Sequence, residues 1–154
     1  MTKKKQVFML LFVVMLLAMP MTVFAAKGPY KDVTRKKVDA QSIQAISYVK
    51  KNYNGWKGLI KNGKFYPNKY MTRREFLIVQ HNMYKDKVTV NIADVRYANS
   101  EITSKFFCDR MVVLSKALGY PIRWNGTKVK LRRKDAARYF YIFATFNKAL
   151  APKK

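Results

Sequence analysis

The stretch Asn62-Gly63-Lys64-Phe65-Tyr66-Pro67, followed by Met71-Thr72-Arg73-Arg74-Glu75-Phe76, leaves the backbone few choices. It reads as a glycine turn, a short extended piece, a proline stop and a capped helix start. Thr72 and Glu75 fit a capping box: the threonine oxygen takes the glutamate N–H, and the glutamate carboxylate reaches back to the threonine N–H. Arg73 and Arg74 then fall in the first turn, where each cation opposes the helix dipole at a cost of about 0.3–1 kcal/mol. Two readings stand side by side: both arginines are simply solvated, or one of them serves a ligand.

Apolar residues recur at helical spacing on both sides of this stretch. A first helix is expected from about Asp39 to Tyr53, with Ile43, Ile46, Val49 and Tyr53 on one stripe and Asn54-Gly55 as its stop. Trp56 to Tyr70 reads as a loop, Thr72 to about Tyr84 as a second helix and Asp86 to Asn91 as a basic connector. Landmarks then return at a near-constant displacement. Asn91-Ile92-Ala93-Asp94-Val95 echoes Tyr30-Lys31-Asp32-Val33, Asn125-Gly126 echoes Asn62-Gly63, and Leu131-Arg132-Arg133-Lys134-Asp135-Ala136 echoes Met71 to Phe76. That is the mark of an internal repeat. A third helix is expected from Ser100 to Leu118, stopped by Gly119, and a last one carries Tyr139, Phe140, Ile142, Phe143, Phe146 and Leu150.

The expected fold is all-α: two helix–loop–helix repeats, 26–90 and 91–150, packed on a shared core with short extended segments in the loops, then a basic tail, 151–154. Each helix pair alone would leave an apolar face wet. The second copy is degenerate. Arg132 stands where a capping threonine is needed, and Thr127-Lys128-Val129-Lys130 replaces the Phe-x-Pro element. The last helix is aromatic on more than one face, which suits the centre of an assembly or a second chain.

Residues 1–25 read as a secretory signal peptide. Lys3, Lys4 and Lys5 precede an apolar run from Val7 to Ala18, and Val23-Phe24-Ala25 suits cleavage. The run is short of the ~20 residues that span a bilayer, and no later segment is apolar enough to do so. The whole chain carries +24; cleavage removes three lysines and leaves +21 on 129 residues. Such an excess implies an anionic partner: wall polymer, nucleic acid or acidic lipid. Cys108, the only cysteine, lies among Phe106, Phe107 and Met111, which suits a buried apolar role.

Four pieces in order carry a family resemblance: Tyr30-Lys31-Asp32-Val33, Ala45-Ile46, Asn62 to Pro67, and Thr72-Arg73-Arg74-Glu75-Phe76. Over Tyr30 to about Tyr84 the chain resembles the S-layer homology repeat, a wall-anchoring module of bacterial surface proteins. The resemblance implies a secreted protein at the bacterial cell wall or surface that binds anionic secondary cell-wall polysaccharide. It implies Arg73 as a ligand contact and, through the second copy, Arg133. Arg74, Lys64, Trp56 and Trp124 complete the expected ligand-binding set: cations for an acidic sugar and loop rings for stacking. Asp32, Thr72, Glu75, Asp94 and Asp135 are expected to be structural. Two departures stand out. Gln41 occupies a place where the family commonly has tryptophan, and two repeats are found where the family usually assembles three. A homo-oligomer, or a larger surface-protein partner, would supply the remainder.

The chain is expected to be non-catalytic and to need no cofactor or metal. His81 is the only histidine, and no phosphate loop, metal cluster or nucleophile motif occurs. Lysine and arginine interleaved with tyrosine and phenylalanine keep nucleic acid, as extracellular DNA, the second reading.

Overall fold

The computed structural model describes residues 28–84, 98–119 and 121–150, the side chains of 147–150 excepted. The signal segment, the connector from Asp86 to Asn91, the Asp94 landmark and the tail lie outside the described residues. The described chain is all-α, with helices α1 (Ala40–Tyr53), α2 (Arg73–Tyr84), α3 (Ser104–Ala117) and α4 (Arg133–Leu150). Pairing between extended residues is confined to isolated bridges among the described residues.

Each helix starts and stops for a local reason. Asp39 caps α1, its carboxylate accepting from the Ser42 N–H at 2.9 Å. Asn54 closes α1 in the left-handed region, φ 49, a conformation asparagine tolerates better than most side chains. In α2 the Thr72 hydroxyl accepts from the Glu75 N–H at 3.3 Å, and Glu75 Oε2 accepts from the Thr72 N–H at 3.2 Å, completing the reciprocal cap. Asn62 (φ 52) and Gly63 (φ 72) both adopt positive φ, and Lys61 and Lys64 exchange hydrogen bonds across them. That is the two-residue turn Asn-Gly favours. Gly126 is glycine for a different reason: a Cβ there would lie 2.4 Å from the Ser104 carbonyl oxygen.

Helix α3 corrects the expected start. It begins at Ser104, not Ser100, with Thr103 as its cap. Residues 101–103 are extended because they pair with two other segments. The Met71 N–H donates to the Leu131 carbonyl at 2.8 Å, Leu131 to Ile102 at 2.9 Å, and Ile102 to Met71 at 2.8 Å, closing a ring. Two residues on, Arg73, Ser104 and Arg133 donate to Ser100, Val129 and Lys69; one further, Arg74, Lys105 and Lys134 donate to Ala98, Thr127 and Pro67. The same register therefore occurs three times. These donors are the first-turn N–H groups that no helix satisfies internally, and each helix passes them to its neighbour's extended segment. The starts of α2, α3 and α4 thus form an approximate threefold centre within one chain.

The core lies beneath this ring. Phe76 and Phe107 hold equivalent places, five residues after Met71 and Ile102. The third such place is Ala136, and Phe140 one turn later fills the space. Ring centroids are 5.1 Å apart for Phe76–Phe107, 4.7 Å for Phe107–Phe140 and 5.6 Å for Phe76–Phe140. Burying one such aromatic fully contributes about 1.5–3 kcal/mol. Helix α1 packs chiefly against α4, where Tyr48 meets Tyr141 edge-on at 4.9 Å.

Candidate functional site

Two segments far apart in sequence meet at one loop. The Asp32 carboxylate accepts from the Phe65 N–H at 2.8 Å and the Tyr66 N–H at 2.7 Å. Lys31 N–H donates to the Gly63 carbonyl, and Tyr30 stacks on Phe65 at 5.7 Å. Asp32 so clamps the loop that Tyr66 sits at φ 57 with its side chain exposed. A left-handed tyrosine costs roughly 1–2 kcal/mol, and such strain persists only where surrounding contacts over-determine it.

Beside Tyr66 opens a cleft of about 250 Å³, lined by Gly58, Leu59, Lys61, Tyr66, Lys69, Glu75 and Arg133. Arg133 and Glu75 are its floor. Arg133 Nη2 donates to Glu75 Oε1 at 2.6 Å and Nε to Oε2 at 3.3 Å, while Nη1 donates to the Phe65 carbonyl at 2.6 Å. Lys69 Nζ reaches the same Glu75 Oε1 at 3.0 Å from a side chain that is 53% exposed, against 4% for Arg133. Burial pushes the Glu75 carboxyl up, but hydrogen bonds from Arg133 and Lys69 and the Arg133 charge outweigh it and hold the group below its ordinary value. Arg133 and Lys69 both hold Glu75, Lys69 from the far more exposed side chain. Lys69 and the exposed Lys61 are the solvent-facing cations of the cleft.

The expected ligand set is redistributed. Arg133 is a correction: its guanidinium edges are taken by Glu75 and backbone carbonyls, and at 3% exposure it offers an anion no fork. Trp56 is another, because the ring is fully buried and its indole N–H donates to the Ile46 carbonyl at 3.0 Å. Trp124 is half-buried against Phe107, Tyr139 and Phe143. Arg73 is half-buried with its guanidinium 5.0 Å from the centre of the Phe106 ring, and it does not line the cleft. Arg74 and Lys64 are exposed outside it. Thr72 and Glu75 form the cap, and Asp135 is half-buried in the first turn of α4. Lys61, Tyr66 and Lys69 line the cleft but were not among the residues expected from the sequence. Their one signal was position, flanking the Asn-Gly turn and Pro67.

Among the described residues no three His, Cys, Asp or Glu side chains gather to hold a metal ion, and no helix is long and apolar enough to cross a membrane. No protein-family model matches the chain, and neither a curated protein nor a solved structure matches it at significance.

Proposed function

We propose that this chain is a secreted, non-catalytic adhesin that holds anionic secondary cell-wall polysaccharide, with the cleft at Lys61, Tyr66 and Lys69 as its grip. The observation that carries the reading is the cleft's division of labour. Its buried guanidinium is already paired with Glu75, while two exposed ammonium groups and a strained, exposed aromatic ring line the same cleft. An acidic sugar suits that arrangement: its carboxylate meets Lys61 and Lys69, its apolar face packs on Tyr66, and a hydroxyl donates to Glu75 when Lys69 turns away. The sequence resemblance favours the same ligand class but places the grip on Arg73; the geometry favours the lysines.

A pull-down on purified cell-wall sacculi, with and without their attached polysaccharide, tests the reading. At a salt concentration that screens out retention by charge alone, the protein is expected on the polysaccharide-bearing sacculi only. The double variant Lys61→Gln/Lys69→Gln is expected to lose that binding, while Lys105→Gln, on the exposed face of α3, keeps it. Equal retention on both kinds of sacculi overturns polymer recognition. The strong positive charge favours extracellular nucleic acid as the second reading; a single-strand gel shift that is blank at low salt removes it.

A further inference from the structure

A second cleft, of about 440 Å³, adjoins the first and is lined by Tyr53, Asn54, Lys57, Gly58, His81 and Asn82. Gly58 belongs to both linings. It has no side chain, its φ is +89, and a Cβ there would meet nothing nearer than Ile78 Cγ2 at 3.6 Å. The residue common to both linings therefore adds no side chain between them.

The second cleft has the chemistry of a hydroxylated ligand. Asn82 donates its amide to the Gly55 and Lys57 carbonyls, both at 3.0 Å. Those bonds fix the amide's orientation and leave its oxygen as an acceptor. His81 is half-buried and lines the cleft with its ring, while its unpartnered Nδ1 is enclosed and is not offered to a ligand there. Tyr53 supplies an aromatic wall and Lys57 one exposed cation.

We propose that the second cleft is a continuation subsite, so that one polysaccharide chain lies across Gly58. An acidic unit sits at Lys61, Tyr66 and Lys69, and the next units lie against Tyr53, His81 and Asn82, with Lys57 meeting an acidic substituent. This inference rests on the adhesin reading and adds the ligand's length and direction to it.

Calorimetric titration of the full chain with sized fragments of the wall polysaccharide tests it. Affinity is expected to rise about tenfold from the shortest fragment to those long enough to cross Gly58, a gain of about 1.4 kcal/mol. Lys57→Gln and His81→Gln, both outside the first cleft, are expected to erase that gain and leave the shortest fragment's affinity within about twofold, roughly 0.4 kcal/mol. Affinity that is flat with length, or short and long fragments weakened alike by either variant, overturns the subsite and leaves the adhesin reading standing. No binding by fragments of any length overturns the adhesin reading itself. The same length-dependent gain with single-stranded oligonucleotides of matched charge overturns the polysaccharide assignment.

Discussion

At the scale of single residues, one ion pair decides what the cleft can do. Arg133 and Glu75 are both shielded, and removing one partner strands the other charge. Arg133→Met should therefore lower stability by about 3–5 kcal/mol, read by chemical denaturation, with Lys69 and the Thr72 N–H left to hold the carboxylate. The pH dependence follows from the depressed Glu75. Its contribution is fully present above the ordinary glutamate value of 4.5 and is lost as pH falls from there through the lower folded value. Acid unfolding curves of the native chain should show this loss, and Glu75→Gln should flatten it. Tyr66 presents the opposite trade. Relief of left-handed strain is worth about 1–2 kcal/mol, while glycine's extra freedom in the unfolded chain costs about 0.5–1. Tyr66→Gly should thus leave the fold about 0–1.5 kcal/mol more stable in thermal melts and adhere less well to polysaccharide-bearing sacculi.

At the scale of elements, three helix starts solve one problem with unequal means. The third N–H of α2 goes to the Thr72 hydroxyl and that of α3 to the Thr103 hydroxyl. In α4 the corresponding donor, Asp135 N–H, falls back on the Arg132 carbonyl at 3.0 Å, because arginine has no oxygen to offer. Arg132→Thr should supply the missing cap and stabilise the protein by about 0.5–1 kcal/mol. A denaturation midpoint that does not rise would mean that the Arg132 guanidinium over Tyr70, 5.8 Å from its ring centre, contributes as much as the cap. The side chains beside these caps also diverge. The first helical residue of α4, Arg133, reaches Glu75 of α2, while that of α2, Arg73, reaches Phe106 of α3. Ser104 of α3 is too short to do either, so equivalent junctions carry different chemistry.

At the scale of the whole molecule, charge and shape act over different distances. A net +24 attracts any polyanion, and salt screens that attraction: the Debye length shrinks from about 10 Å at 0.1 M to about 3 Å at 1 M. Contacts partly enclosed by a cleft, and the packing of a sugar on Tyr66, are screened less. Binding to polysaccharide-bearing sacculi should therefore survive a salt concentration that strips the protein from polysaccharide-free sacculi, as measured by co-sedimentation across a salt series. Parallel loss on both surfaces would assign the adhesion to bulk charge. The threefold centre matters at this scale because a single chain closes the backbone ring that gathers the starts of α2, α3 and α4 over one aromatic core.

Helix spacing, the Thr72–Glu75 cap, the Asn-Gly turn and the stop at Asn54 were legible in the sequence, because each depends on residues within one or two turns of one another. The start of α3 was not: Ser100 to Thr103 carry helix-compatible residues, and only pairing with Met71 and Leu131 holds Glu101 to Thr103 extended. What the fold does with the expected ligand residues was not legible: Arg133 and Trp56 are buried, and Arg73, Arg74 and Lys64 stand outside the cleft. An arginine at a helix start looks the same in sequence whether it faces water or a glutamate 58 residues away, and a tryptophan in a loop looks the same whether it covers a core or a ligand. Local chemistry writes caps and turns into the chain. Which charges are neutralised and which rings stay exposed depends on contacts between distant segments, and those exist only once the fold has closed.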